Sequence, residues 1–400
     1  MIPRVLEPTL RQVASQVPVV TLTGPRQSGK TTLMRAVFDK ADYASLEEPD
    51  VREHALEDPR GFLGQFRGPV ILDEVQRTPD LFSYIQTLVD EDDRPGRFLL
   101  SGSQNFLLAR SISQSLAGRS AILHLLPFSR SELDGREPLP LEQLGRVLPA
   151  TEPSTSASSL METLFRGFYP RIHDRGLDPT RWLGDYYRTY VERDVREIVQ
   201  VGDPETFSRF VRLCAGRNGE LLNYSSLAND CGVAHTTAKR WISILEASFL
   251  VLLLRPHHRN FSKRLIKSPK LYFLDPGLLC YLLRIRSPED LRIHASRGAI
   301  FESYVVSELH KGFVHRGREP DLHFWRDSAG HEIDLLVETG PESLVPIEVK
   351  SRETVTRDFF KGLDFWRDLV GDPKAPAALV YGGDRSLLRR GVTVYGWWDL

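Results

Sequence analysis

The chain alternates short, wholly apolar runs with amphipathic stretches, and their order outlines its architecture. Val19-Val20-Thr21-Leu22, Val70-Ile71-Leu72, Phe98-Leu99-Leu100 and Ala121-Ile122-Leu123 are too short for helices and lack polar alternation. They predict strands buried on both faces, as in a parallel α/β sheet. A helix is expected over 107–118. Residues 134–159 break the pattern, because Glu137-Pro138-Leu139-Pro140 and Pro153-Ser154-Thr155-Ser156-Ala157-Ser158 read as a mobile excursion without a core. Helical periodicity resumes at Leu160 and runs with breaks to Val199, the place for a helical lid. Residues 224–233 and 235–246 then read as two helices round a Gly-containing turn, followed by a strand over 249–254. That order predicts a winged helix-turn-helix. Beyond Leu271 the expected elements are a helix over 301–309 and strands over 332–337 and 345–350 joined at Gly340-Pro341. Four parts result: 1–134, 135–200, 201–270 and 271–400.

Composition narrows the setting. The chain has 400 residues, of which 41% are hydrophobic and 26% charged, as in a globular protein of several domains. No apolar run approaches the ~20 residues of a membrane span, and the first residues lack the apolar core of a signal peptide. Cys214, Cys231 and Cys280 are too far apart for a disulfide framework or a metal cluster and suit a reducing cytoplasm. The net charge of −1 gives no general attraction to nucleic acid, so any such binding must come from a local patch.

The most specific chemistry follows the first strand. Gly24-Pro25-Arg26-Gln27-Ser28-Gly29-Lys30-Thr31 has the spacing G-x-x-x-x-G-K-[ST], and Thr32 continues it into a helix. The glycines let backbone N–H groups curl round phosphates, Lys30 reaches the β- and γ-phosphates, and the Thr31 hydroxyl ligates Mg²⁺. The run ending Asp73-Glu74 supplies the second element of such a site. Asp73 can hold the Mg²⁺ shell, and Glu74 can orient and activate the attacking water. These residues imply binding of a nucleoside triphosphate.

With the strand entering Ser101-Gly102-Ser103, the chain resembles the AAA+ ATPases. The resemblance implies that Ser103, with Ser101 as the alternative, senses the γ-phosphate. It also implies that Arg119 is an arginine finger acting on a neighbouring subunit in an oligomer, often a hexameric ring. Leu126-Pro127-Phe128-Ser129, Gly167-Phe168-Tyr169-Pro170-Arg171 and Tyr190-Val191-Glu192-Arg193-Asp194-Val195 extend the likeness to a family of predicted prokaryotic AAA+ ATPases with an uncharacterised carboxy-terminal region.

In the helix-turn-helix, Thr236, Thr237, Lys239 and Arg240 stand near the leading end of the second helix. Arg255, His257, His258, Arg259, Lys263, Arg264, Lys267 and Lys270 form a wing without an acid, suited to DNA phosphates. In the last part, period-two geometry puts Glu348 and Lys350 on one face of their strand, and the hairpin can bring Asp334 beside Glu348. Asp334 and Glu348 can then hold Mg²⁺ with Lys350 next to the reacting water. The order resembles the PD-(D/E)XK nuclease superfamily of restriction enzymes and Holliday-junction resolvases. By that resemblance Glu302 is a helix-borne accessory acid and the domain is restriction-endonuclease-like. The combined expectation is a cytoplasmic, oligomeric, Mg²⁺-dependent ATP hydrolase acting on DNA, branched DNA included. The alternative is an ATP-operated switch or defence sensor that binds a protein partner and has an inactive nuclease-like domain.

Overall fold

The computed structural model describes residues 2–103, 116–146, 159–190, 203–257, 267–340 and 343–400. The chain divides into two units, one of residues 1–128, 247–249 and 314–318, the other of residues 129–246, 250–313 and 319–400.

The first unit runs through α1 (Glu7–Ala14), β1 (Val19–Thr23), α2 (Lys30–Val37), β2 (Asp42–Ser45), α3 (Pro49–Glu57) and α4 (Pro59–Gly64). It continues with β3 (Val70–Asp73), α5 (Leu81–Glu91), β4 (Phe98–Gly102) and β5 (Ser120–His124). The strands form one parallel sheet in the order β2-β3-β4-β1-β5. Successive residues of each strand serve opposite faces. Val19, Val70, Leu72, Phe98 and Leu100 pack with Phe62, Phe82 and Ile85, whereas Val20, Leu22, Ile71 and Leu99 pack with Leu10, Leu33 and Met34. A sheet covered on both faces excludes polar alternation, which is why these strands read as continuous apolar runs. Because β4 lies between β1 and β3, the carboxyl ends of all three meet at one end of the sheet.

The second unit begins with α6 (Arg130–Asp134), α7 (Leu160–Arg166), α8 (Pro170–Arg175), α9 (Pro179–Tyr186) and α10 (Pro204–Gly216). Next come α11 (Tyr224–Cys231), α12 (His235–Ala247), β6 (Val251–Pro256), β7 (Lys270–Phe273), α13 (Pro276–Leu282), α14 (Pro288–Ile293) and α15 (Arg297–Val314). It ends with β8 (Leu322–Arg326), β9 (Glu332–Gly340), β10 (Ser343–Lys350), α16 (Lys361–Val370), β11 (Ala378–Tyr381), β12 (Leu387–Arg389) and β13 (Val392–Gly396). Its eight-stranded mixed sheet has the order β12-β13-β11-β10-β9-β8-β6-β7. The expected hairpin is present, β9 and β10 pairing with Val345 opposite Val337 and Ile347 opposite Leu335.

The two helices expected after Leu221 are α11 and α12. Asn223 caps α11 by accepting the Ser226 N–H (3.0 Å), and Gly232, at φ +70°, ends it. Trp241 of α12 stands edge-on to Phe207 and Phe210 of α10. Residues 219–222 run beside β7, with Gly219 N–H donating to the Leu271 carbonyl (2.7 Å) and Leu222 N–H to that of Pro269 (2.8 Å).

The structure changes two expectations. β6 pairs in parallel with β8, Arg255 opposite His323, so the strand after the helix pair shares a sheet with the carboxy-terminal hairpin. The described part of the expected mobile excursion is packed: Leu141 and Leu144 are buried, and Gly145 N–H donates to the Tyr395 hydroxyl (3.0 Å). Two leucines at helical spacing anchor it there, a signal that the surrounding prolines obscure. Residues 147–158, most of the helix expected over 107–118, and the Val191 to Val195 string lie outside the described residues.

Candidate functional site

The loop joining β1 to α2 is shaped by residues in left-handed conformations. Gly24 has φ +152°, and a Cβ there would lie 2.1 Å from the Leu125 carbonyl oxygen, so only glycine lets the chain pass. Gln27 (φ +63°) and Gly29 (φ +93°) continue the curl, a geometry in which backbone N–H groups converge on an anion. Pro25, Arg26 and Ser28 complete the loop, while Thr32 lies on the exposed side of the first turn of α2. Lys30 is buried at the start of α2, and its Nζ donates to the carbonyls of Gly24 (3.0 Å) and Pro25 (2.8 Å). Burial lowers its pKa to about 8, against the opposing pull of the Glu74 and Asp73 charges. Ser28 Oγ is fully buried without a hydrogen-bond partner among the described residues. An ammonium held only by carbonyls beside an orphaned hydroxyl fits a polyphosphate, which would satisfy both.

No sequence motif marks Arg4, yet it holds this loop. Its Nη1 donates to the Ser28 carbonyl (2.9 Å) and its Nη2 to that of Leu126 (2.7 Å), with the guanidinium 4.8 Å from the centre of the Phe128 ring. Arg4→Ala strips two buried carbonyls of their donors. The expected result is a stability loss of about 1–3 kcal/mol and a several-fold rise in KM for ATP, read by thermal unfolding and by turnover. An unchanged KM would leave Arg4 a purely structural residue.

The acidic strand faces the loop. Asp73 accepts from Thr31 Oγ1 (2.9 Å) and from the Tyr43 hydroxyl (3.1 Å), and its other oxygen accepts from Ser101. Burial and the Asp73 charge push the Tyr43 phenol up to about 12. Thr31 and Asp73 are thus adjacent oxygen donors, as a shared Mg²⁺ requires. Glu74 sits at φ +55°, ψ +41°, left-handed for a residue with a side chain, at a cost of about 1–2 kcal/mol. Its carboxylate accepts from Gln76 Nε2 and from Ser103 Oγ (3.3 Å). Both serines expected at the γ-phosphate therefore reach the acidic strand, Ser101 at Asp73 and Ser103 at Glu74.

Arg119, expected to act on a neighbouring subunit, makes a two-point ion pair with Asp90 of α5, one of its bonds being 3.1 Å. Both side chains are about two-fifths exposed, so the pair is worth about 1 kcal/mol or less and releases easily.

A second cluster lies on β9 and β10. Lys350 Nζ donates to Asp334 Oδ2 (3.1 Å) and to Glu348 Oε2 (2.5 Å), and Asp334 also accepts the Val349 N–H (2.8 Å). Glu348 is buried beneath Gly362 of α16, where a Cβ would meet its carboxylate at 2.0 Å. Burial first, then the Asp334 charge, pushes the Glu348 carboxyl up. Burial opposes the charge on Lys350, but Asp334 and Glu348 outweigh it and hold the ammonium above its ordinary pKa. Glu302 on α15 accepts from Lys270 Nζ (3.3 Å) and from the Tyr272 hydroxyl (2.5 Å). Burial raises its pKa, opposed by Lys270 and reinforced by Asp334. Lys270 also pairs with Glu332, which pairs with Arg326 (3.1 Å). Among the described residues no three His, Cys, Asp or Glu side chains group as a metal site. The Asp334–Glu348 pair fits a single hard cation at the position of the Lys350 ammonium.

Lys270 corrects the sequence reading, which put it in a basic wing. Pairing of β7 with β6 carries it instead among Glu302 and Glu332, where it is buried. His257 is likewise buried, its ring 5.4 Å from that of His323. Arg255 and Lys267 are exposed, and His258, Arg259, Lys263 and Arg264 lie outside the described residues. On α12, Thr236, Lys239 and Arg240 are exposed and Thr237 is half-buried. Cys214, Cys231 and Cys280 are buried and free. Among the described residues no helix is long and apolar enough to cross a membrane.

Three family models match the chain: an AAA domain over residues 16–133, and two domains of unknown function, DUF8612 over 157–289 and DUF4143 over 297–400. Uncharacterized protein Rv2008c of Mycobacterium tuberculosis is 33% identical over 378 residues, which cover 94% of this chain and 79% of the relative. Uncharacterized protein Mb2031c of Mycobacterium bovis matches to the same extent. Among solved structures, the Walker-type ATPase PABY2304 of Pyrococcus abyssi is similar with a TM-score of 0.42 and 15% identity, over 70% of this chain and 94% of that one. The RuvB Holliday junction branch migration motor of Thermotoga maritima gives a TM-score of 0.29 at 20% identity, over 62% and 87%. AMPPCP-bound DnaA of Aquifex aeolicus gives 0.29 at 16% identity, over 60% and 86%.

Proposed function

Because the chain belongs to the family of these uncharacterized mycobacterial proteins and carries an AAA domain over residues 16–133, we propose that it is a Mg²⁺-dependent ATP hydrolase that assembles with copies of itself and acts on DNA. The observation that carries this reading is the meeting of Lys30, Thr31, Asp73, Glu74, Ser101 and Ser103 at the carboxyl ends of β1, β3 and β4. Lys30 and the loop amides would bind the β- and γ-phosphates, and Thr31 and Asp73 would hold the cation. Glu74 takes the proton of the attacking water, and Ser103, with Ser101 as the alternative, senses the γ-phosphate. Arg119, once released from Asp90, completes the site of a neighbouring copy in a ring.

DNA is the proposed substrate for two reasons. The order α10, α11, α12, β6, β7 supports a winged helix-turn-helix over 201–270, with the exposed Thr236, Lys239 and Arg240 leading its second helix. The grouping of Asp334, Glu348 and Lys350 supports a restriction-endonuclease-like domain over 271–400 with Glu302 as accessory acid. A cation bound there would polarise a phosphodiester; Asp334 and Glu348 supply its oxygen ligands, and Lys350 holds the nearby water. ATP turnover and binding measured with single-stranded, duplex and four-way DNA test the proposal. At least one form is expected to bind and to raise turnover in the wild type; no binding to any at low salt overturns the DNA reading. With Mg²⁺ or Mn²⁺, Lys350→Ala is expected to lower cleavage at least about 100-fold, and equal cleavage in both removes Lys350 from the mechanism.

One observation favours a second reading, the ATP-operated switch with a non-cutting carboxy-terminal part that binds a protein partner. Lys350 and Lys270 already bridge the carboxylates of Asp334, Glu348, Glu302 and Glu332 within the fold, two to each lysine. ATP hydrolysis without cleavage under either cation selects it.

A further inference from the structure

Several arginines of this chain pair with a carboxylate: Arg11 with Glu7, Arg94 with Asp92, Arg119 with Asp90, Arg217 with Asp230 and Arg390 with Asp364. One cleft gathers three others. It has a volume of about 280 Å³, lies where α9, α10 and α13 meet in the second unit, and is lined by Thr180, Arg212, Tyr281, Arg284 and Arg286 with the buried Leu282 and Ile285. Arg212, Arg284 and Arg286 are exposed, and none of the three guanidinium groups pairs with a carboxylate among the described residues, although the Arg286 N–H donates to the Asp290 carboxylate (3.3 Å). Arg284 stands at φ +60°, a left-handed turn directly after α13. That turn is strained for a residue with a side chain, and it brings both Arg284 and Arg286 to the cleft that Arg212 enters from α10.

Three arginines lining one cleft give it a local positive field, which an anion would complement. Guanidinium groups bind phosphate oxygens in a two-point fork. The cleft is open and smaller than the roughly 300–1,000 Å³ that encloses a whole small ligand. Its chemistry therefore suits phosphates of a strand that continues beyond it. α10 packs against α11 of the helix-turn-helix as well as against α13, so the cleft belongs to the same helical body. We propose that the Arg212–Arg284–Arg286 cleft holds the phosphodiester backbone of a DNA strand. The inference rests on the DNA reading above and names a contact surface distinct from α12 and the wing.

The test is the salt dependence of DNA binding by the full chain, read by anisotropy of labelled duplex and single-stranded DNA. The variant carries Arg212→Ala, Arg284→Ala and Arg286→Ala; a charge-matched control carries Arg11→Ala, Arg94→Ala and Arg390→Ala, all from paired sites. Between about 50 and about 200 mM salt, the cleft variant is expected to lose about 2–3 from the slope of log affinity against log salt, and each single replacement about 1. The control is expected to keep the wild-type slope. Lysine at the three positions should keep the slope but bind more weakly, since it carries charge without the fork. An unchanged slope in the cleft variant, or an equal loss in the control, overturns the cleft proposal and leaves the DNA reading standing. A cleft variant that keeps DNA affinity but loses a rise in melting temperature given by inorganic phosphate would assign the cleft to the free anion and also overturn it. No DNA binding by the wild type overturns the DNA reading itself.

Discussion

Replacing Lys30 with alanine is expected to cut ATP turnover by about 100- to 1,000-fold, the cost of removing one positioned donor to developing negative charge. Among the described residues no carboxylate binds Lys30 and holds it back. Its ammonium rests on the Gly24 and Pro25 carbonyls of the loop itself, ready to transfer to phosphate oxygens. The fold should survive the change, because burial already works against the charged form of this lysine. Thermal unfolding should show a melting temperature close to that of the wild type, relief of the buried charge offsetting the lost donor to the Gly24 and Pro25 carbonyls. The same burial gives the site a pH signature. With a pKa of about 8 before nucleotide binds, Lys30 loses its proton as pH rises through 8, whereas bound phosphates favour the protonated form. Binding above pH 8 must then take up a proton. ATP affinity should fall by up to about tenfold per pH unit above 8 and be level below about pH 7. The alanine variant should lose that dependence. An identical fall in the variant would assign the titration to another group.

What the sequence reveals depends on whether the residues that act together are near one another along the chain. The P-loop is legible because its parts are contiguous and each residue type answers one demand, from the close passage at Gly24 to the ammonium of Lys30. The sheet around it is legible because burial on both faces leaves apolar runs without alternation. The Asp334, Glu348 and Lys350 grouping is legible for a different reason: period-two geometry and one hairpin suffice to bring them together. Arg4 is not legible. Its role depends on how the amino terminus and the segment after β5 pass the loop, and no local pattern encodes that. Lys270 is not legible as a buried residue because charge composition carries no strand pairing, and the β6–β7 ladder takes it away from the surface. The arginine cleft is hidden likewise, its side chains coming from α10 and from the turn after α13. Leu141 and Leu144 show the same limit on a smaller scale, two buried anchors inside a stretch whose prolines suggest no structure.

Glu74→Gln is expected to separate nucleotide binding from hydrolysis, lowering turnover by about 100- to 10,000-fold, the range for loss of a positioned general base. The substitution preserves shape and leaves an amide oxygen that accepts from Gln76 and Ser103 as the carboxylate does. It also keeps the side-chain length at residue 74, where the backbone is left-handed. Lys30, Thr31 and Asp73 remain in place, so ATP with Mg²⁺ should still bind. Binding at about 100 times Kd stabilises a protein by about 2.7 kcal/mol, and this difference can be read as a shift in melting temperature. In Glu74→Gln the ATP-induced shift should persist for hours, in the wild type it should decay as ATP is consumed, and in Lys30→Ala it should be small from the start. Asp73→Asn is expected to give the complementary result, a loss of the Mg²⁺-dependent part of the shift, because Asp73 rather than Glu74 accepts from Thr31, the other proposed cation ligand. If Glu74→Gln hydrolyses ATP at the wild-type rate, the water must be activated elsewhere, and the strained turn at residue 74 then serves only to place Ser103 and Gln76.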